Sequence, residues 1–309
     1  VTDLPLPPGC TARPLTLADT RAVYEVHAAQ ETHDVGRPEI EEADVVSDWQ
    51  RPSFDVATST VGVLEGDRLV ACAELNAPER AEVAVHPDHR GRGLGTWLSA
   101  WARDLARSRG ARIVGGPVPQ GSAGDRLLTE LGYHVRWTSW VLKLPEGATV
   151  PDRPLPDGYA VRAAEPDELP AAHDVMEDAF LEWSERERET WDDFTARTTG
   201  RPGHEPWHVR VVLDGDGTVV GAAVLQVFEG EGEHAGEREA YIARLATRAD
   251  QRGRGLAQAL MVDTFRVARE HGVETCGLST DSRTGALGLY EKVGMVVTST
   301  WVHRAVTLT

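Results

Sequence analysis

The sequence predicts an α/β protein built from two tandem copies of one domain, each a mixed sheet flanked by helices. Three observations lead there. The first is an internal repeat: LPPGCTARPLTLADTRAVYEVHAA from Leu6 returns as LPDGYAVRAAEPDELPAAHDVMEDA from Leu155, HPDHRGRGLGTWL from His86 as RADQRGRGLAQAL from Arg248, and LLTELGYHVRWTSWV from Leu127 as GLYEKVGMVVTSTWV from Gly288. Three matches in one order mean duplication. The second is a hairpin pattern in each copy, VGVLEGDRLVACAEL and RVVLDGDGTVVGAAVLQV, in which Glu65-Gly66-Asp67 and Asp214-Gly215-Asp216-Gly217 supply the turns between alternating apolar residues. The third is a strand that runs into a Gly-rich loop and then an amphipathic helix, again in both copies.

Each half therefore reads as a short strand, one or two helices, a hairpin, then strand, loop, helix, strand, helix and a closing strand. Pro and Gly cluster between residues 145 and 158, where no apolar period survives. This places an N-terminal domain at 1–146, a linker at 147–157 and a C-terminal domain at 158–309. The second copy carries an insertion of about 13 residues between its first strand and its Gly-rich loop.

Composition narrows the partners. The chain carries a net charge of −17 over 309 residues, which argues against nucleic acid and acidic membrane surfaces. The first 150 residues hold 15 Lys+Arg against 21 Asp+Glu, and the remainder 17 against 28, so a cationic partner belongs more naturally with the second half. Cys10, Cys72 and Cys276 are scattered, without metal-ligand spacing. They read as reduced thiols of a cytoplasmic protein that needs no metal. Oligomeric state leaves no mark in the sequence.

The Gly-rich loops carry the chemistry. In the second copy, strand YIARLAT leads to Arg252-Gly253-Arg254-Gly255-Leu256-Ala257, and Leu256, Leu260, Met261, Phe265 and Val267 then fall near helical spacing. The first copy has Arg90-Gly91-Arg92-Gly93-Leu94-Gly95-Thr96 after strand AEVAV. Glycines admit phosphate oxygens to the backbone, and free amides at a helix N-terminus stabilise the anion. Arg90, Arg92, Arg252 and Arg254 add positive charge. A Walker loop would end in Gly-Lys-Ser/Thr, and the dinucleotide fingerprint needs Gly-x-Gly-x-x-Gly at the first strand of a βαβ unit. Neither occurs, and a pantetheine-bearing nucleotide remains.

Arg-x-x-Gly-x-Gly/Ala after a strand, together with the late helix ALGLYEKVGM (286–295), resembles the GNAT superfamily of N-acyltransferases in a tandem two-domain form. The resemblance spans both halves. It implies mixed, mostly antiparallel sheets, acetyl-CoA as cosubstrate and direct acetyl transfer to an amine. It also implies that backbone groups of Val83, Ala84 and Val85, and of Leu245, Ala246 and Thr247, contact the pantetheine arm and the acetyl carbonyl. By motif position Tyr290 is the general acid for the departing thiolate. The first copy has Leu128 at that place, which cannot donate a proton, so catalysis is expected in the C-terminal domain, with a CoA-binding but non-catalytic N-terminal one. For the base, Glu239 is the candidate, since alternation puts it on one strand face with Tyr241 and Ala243; Glu79 stands near the matching place in the first copy. Arg283 replaces the Asn that family members often carry.

The acceptor is expected to be a small-molecule amine. The acidic stretch 177–194 with Trp183 and Trp191, and the segment with His204, Trp207 and His208, would suit a cationic one. Two other functions share the motifs: acetylation of a protein or peptide amine, and a non-catalytic acyl-CoA sensor.

Overall fold

The computed structural model describes residues 4–231 and 234–308. Two compact units divide the chain: Val1–Ser139 with Ser299–Thr309, and Trp140–Thr298. The first unit contains β1 (Cys10–Arg13), α1 (Thr20–Val35), α2 (Glu42–Trp49), α3 (Val56–Ser59), β2 (Thr60–Glu65), β3 (Arg68–Ala77), β4 (Arg80–Val85), α4 (Leu94–Ser108), β5 (Ile113–Pro119), α5 (Ala123–Glu130) and the start of β6 (His134–Leu144). The second contains the end of β6, then β7 (Ala160–Ala163), α6 (Leu169–Leu181), α7 (Trp191–Arg197), β8 (Val209–Leu213), β9 (Val219–Glu229), β10 (Arg238–Thr247), α8 (Leu256–Glu270), β11 (Thr275–Asp281), α9 (Leu287–Glu291) and the start of β12 (Val296–Thr307).

The units divide at other positions than the 146 and 158 expected from sequence. The closing strands β6 and β12 are long, and each ends in the unit opposite to the one in which it starts. Trp301–Thr307 of β12 pairs antiparallel with β5, Trp301 opposite Pro119 and Thr307 opposite Ile113. The outer edge of β5 would otherwise present unpaired amides and carbonyls, and the late segment of the other repeat satisfies them.

Within each unit the sheet is mixed and mostly antiparallel, as expected. In the first, β1, β2, β3 and β4 pair antiparallel in order. Strand β4 meets β5 in parallel at one position, Arg80 opposite Gly115. In the second, β7, β8, β9 and β10 follow the same order, and β10 runs parallel to β11 from Glu239 to Ile242. Past those short parallel contacts the two central strands of each sheet part. The gap between them is what positions the sites.

Helices cover both faces because each sheet buries alternate residues to each side. Helices α1 and α2 bring Val23, Val26, Val45 and Trp49 against Cys72 and Ala84, while α4 brings Leu94, Trp97 and Leu98 against Val63, Val70 and Val85. In the second unit α6 and α7 set Met176 and Phe194 on one face, and α8 sets Leu260, Met261 and Phe265 on the other. Helix α1 ends where Gly36 turns left-handed at φ 89° and returns its amide to the Thr32 carbonyl.

Candidate active site

The two Gly-rich loops have one conformation. Arg90 and Arg252 both lie at φ −67°, ψ 162°, and Gly93 and Gly255 sit left-handed at φ 86° and 81° as the N-caps of α4 and α8. Gly91 and Gly253 are also left-handed, at φ 74° and 76°. The backbone, rather than any side chain, demands glycine at these places. Each loop aims the partnerless amides of a 15-residue helix outward. One difference between the copies has a steric cause. A Cβ on Gly95 would come within 2.7 Å of Leu127 Cδ2, whereas the second copy carries Ala257 there.

The arginines of the loops are already engaged. Arg90 donates to both Asp34 oxygens at 2.8 Å, and Arg252 donates to both Glu182 oxygens at 2.6 and 2.8 Å. Each thus ties its loop to a carboxylate at or just past the end of the first helix of its repeat. Arg92 pairs with Glu65 at 2.7 Å, and Arg254 reaches the Tyr159 hydroxyl at 3.4 Å. The main attraction for an anion therefore comes from the amides and the helix dipole.

In the first unit the loop opens onto a cavity of about 310 Å³ lined by Val83, Val85, Gly93, Gly95, Thr96 and, from β5, Gly115 to Val118. It lies where β4 and β5 part. Gly116 makes the pinch possible, since a Cβ there would stand 1.9 Å from the Ala81 carbonyl oxygen. The slot has backbone on both walls and the free amides of the α4 N-terminus at its mouth. Leu128 lines this cavity, and so does Tyr133. Burial raises the Tyr133 hydroxyl above its ordinary pKa, with Arg103 opposing, so the phenol keeps its proton at neutral pH. Sequence reasoning passed over Tyr133 because the repeat aligns it with Met295, an ordinary core position.

On the α1 side of the same gap, three carboxylates gather. Glu74 and Glu82 are directly opposite on β3 and β4, and Glu31 comes from α1. Arg80 donates to Glu82 at 2.8 Å, Asn76 donates to it at 3.1 Å, and Trp49 Nε1 donates to Glu74 at 2.7 Å. The backbone amide of Glu39 donates to Glu31 at 2.6 Å. Burial, then the charge of Glu82, pushes Glu74 above the usual carboxylate range. Burial also pushes Glu31 up to about 8. Glu82 goes the other way, because Arg80 outweighs its burial. His27 is held low by burial, against the charge of Glu82. Yet the Glu82 and Arg80 side chains keep 27% and 47% of their surface. Groups that are strongly desolvated and still reachable line a recess rather than a core.

The second unit is arranged differently. Tyr290 is half-buried on α9, its hydroxyl hydrogen-bonded with Thr280 of β11 and raised in pKa chiefly by burial. Leu256 caps the core beneath the loop, and Ala246 packs toward α6. Glu239 is not an accessible base. It is 3% exposed, accepts from Lys143 Nζ at 2.7 Å, and lies against Gly277, where a Cβ would meet its Oε1 at 2.3 Å. A buried carboxylate joined to a buried ammonium is a fixed ion pair. Glu79 is 48% exposed on its side chain and pairs with Arg136 at 3.0 Å. The alternation expected along β10 runs in register through Tyr241 and breaks at Ala243, where a bulge falls between Ile242 and Arg244.

Several carboxylates of the acidic stretch 177–194 are engaged by arginines. Arg186 pairs with both Glu177 oxygens, Arg188 with Asp174 and Asp178, and Arg244 and Arg197 with Glu189. His173, Glu177 and Glu189 offer ligand atoms within 4.8 Å of one another, but both carboxylates are already occupied by guanidiniums. Trp183 stacks under Arg283 at 4.9 Å, and Trp191 packs on Phe194. Trp207 stacks on His271, and burial lowers His208 to about 4.

Known proteins agree with this construction. The sequence model of the Acetyltransferase (GNAT) family matches residues 20–128 and again 169–295. A mycothiol acetyltransferase of Salinispora arenicola is 30% identical over 256 residues, 78% of each chain. The mycothiol acetyltransferase of Sanguibacter keddieii is 31% identical over 301 residues, 91% of each. Among solved structures, a GCN5-related N-acetyltransferase from Sphaerobacter thermophilus superposes with a TM-score of 0.75 at 29% identity, over 98% of this chain and 97% of that one. A tandem GNAT protein from the clavulanic acid biosynthesis pathway shares the fold, with a TM-score of 0.72 at 19% identity over 97% and 99%. With two matched copies covering most of its length, each holding a strand, a left-handed glycine loop and a helix N-terminus in the same conformation, the chain belongs to the acetyltransferase (GNAT) family and is an acyl-CoA-dependent N-acetyltransferase.

Proposed function

We propose that the protein transfers acetyl from acetyl-CoA to the amine of a cationic small molecule, with the chemistry in the first unit. The observation that carries this reading is the juxtaposition of the 310 Å³ slot with the carboxylate recess across one gap in the sheet. Ala81 and Val83 line the slot, and Glu82 stands between them in sequence with its carboxylate toward α1. Bound acetyl-CoA would supply the thioester, whose carbon forms a bond to the amine nitrogen as its bond to sulfur breaks. Glu82, kept ionised by Arg80, accepts the amine proton. Tyr133, kept protonated by burial, donates to the departing sulfur. Glu82 supplies the negative charge a cationic acceptor needs, while Glu31 and Glu74, raised by burial, line the recess as protonated acids. The mycothiol acetyltransferase relatives support a small-molecule acceptor.

A second reading keeps catalysis in the C-terminal unit, with Tyr290 as the acid. It is favoured by the intact second loop and by the Tyr290 hydroxyl at β11. Thiol release from acetyl-CoA in the presence of amines, desacetyl-mycothiol among them, separates the two. Under the first reading Glu82→Gln lowers kcat/KM by about 10²-fold or more and Tyr133→Phe by about tenfold, while Tyr290→Phe leaves turnover nearly intact. Loss of turnover in Tyr290→Phe with the other two variants active would transfer the chemistry to the second unit.

A further inference from the structure

Strand β4 alternates its amides. His86 N donates to the Val70 carbonyl of β3, so the antiparallel pattern turns the amides of Ala84 and Glu82 toward β3 as well. Those of Val83 and Val85 face the opposite edge, where β5 has parted and the cavity begins. The Val85 amide is not open, however. Gln30, reaching across from α1, accepts its hydrogen bond through Oε1 at 2.9 Å. Gln30 also lines the cavity. Its neighbours on α1, His27 and Glu31, belong to the recess on the other side of the gap. The repeat places Ala179 at the corresponding point of α6, and an alanine has no acceptor to offer. The device is therefore peculiar to the first unit.

We infer that Gln30 is an acyl-positioning gate of the first cavity, whose carboxamide oxygen holds the Val85 amide until the carbonyl oxygen of an acyl-CoA thioester takes its place. This inference rests on the first unit's being an acyl-CoA site. The two oxygens are of one kind, amide or thioester carbonyl, and compete for one donor on one edge. Free CoA has no acyl carbonyl and leaves Gln30 where it is. Acetyl-CoA displaces it and turns the side chain aside toward His27 and Glu31, which couples donor loading to the acceptor recess.

The test is calorimetric and uses the full chain carrying Gly255→Glu, which puts a like charge into the second loop and leaves the first site to be read alone. Acetyl-CoA and CoA are titrated into this protein and into the same protein with Gln30→Ala or Gln30→Glu. Removing the competing carboxamide should raise the preference for acetyl-CoA over CoA by about three- to tenfold, the worth of one neutral hydrogen bond. Gln30→Glu, with a carboxylate that accepts more strongly, should drop the preference below that of the parent. In the converse protein, Gly93→Glu, Gln30→Ala should leave the ratio unchanged. An unaltered ratio in Gln30→Ala, or equal gains for both ligands, overturns the gate while leaving the site in place. No CoA binding at all to the Gly255→Glu protein, folded by circular dichroism, overturns instead the reading of the first unit as an acyl-CoA site.

Discussion

Lys143 and Glu239 show what a single pair does in this fold. The two side chains are 10% and 4% exposed and lie 2.7 Å apart. The ammonium has left water for a buried carboxylate, so removing either partner leaves the other's charge buried without this pairing. Such a loss costs about 3–5 kcal/mol, whereas replacing both partners with apolar groups is often neutral. Lys143→Met alone should therefore lower the unfolding midpoint of the protein sharply in urea. Lys143→Met combined with Glu239→Leu should recover most of it. If Glu239 served as base, the double variant would be folded and inactive; as a structural pair it should be folded and active. The single assay of turnover in that double variant decides its role. Sequence alone had no route to this pairing. Glu239 sits on a strand of mixed faces, and its partner is 96 positions earlier, on a strand whose destination is the other unit's sheet.

At the scale of elements, local signals were legible and through-space ones were not. The repeat, the hairpins and both Gly-rich loops could be read from spacing because a left-handed turn before a helix constrains its own residues. The carboxylate recess could not. Glu31, Glu74 and Glu82 come from a helix and two strands, each in an ordinary polar position of its own element. Tyr133 was hidden in the same way, as one aromatic among core residues. The close approach of β12 to β5 is likewise visible only in space. Gly115 has the Arg304 carbonyl oxygen 1.9 Å from where a Cβ would be, and the Ala305 Cα at 2.5 Å. Since both are backbone atoms, nothing flexible can yield. Gly115→Ala should push β12 away from β5 and destabilise the protein by about 3 kcal/mol or more, at the high end for overpacking. Gly124→Ala is the control, because its nearest neighbour is the Val118 side chain at 3.3 Å. A Gly115→Ala protein as stable as that control would mean the strands can slide past the added methyl.

Across the whole molecule, Glu31 in the first unit and Glu189 in the second are buried carboxylates shifted in opposite directions, and acid should tell them apart. In the first unit burial holds Glu31 protonated up to about 8, from an ordinary 4.5. Below about 4.5 both the folded and unfolded chains carry that proton; between about 4.5 and 8 only the folded one does. Its contribution to stability therefore declines as pH rises through that window. In the second unit burial would raise Glu189, but Arg244 and Arg197 outweigh it and hold the group at about 2, against an ordinary 4.5. Here the unfolded chain binds the proton first, so stability is lost as pH falls from about 4.5 toward 2. Thermal midpoints measured across pH should show each slope reduced by its own substitution, with the share of Glu74 left in the first slope and that of Asp19 in the second. Glu31→Gln, a neutral stand-in for the protonated acid, should flatten the decline between pH 5 and 8 and leave the acid limb alone. Glu189→Gln should lower the midpoint at neutral pH, where it unpairs two guanidiniums, and should abolish much of the loss below 4.5. Were Glu31→Gln to leave the alkaline decline unchanged, the recess would be wet enough to ionise freely. Glu31 would then carry its charge at neutral pH and attract a cationic acceptor as an open carboxylate does.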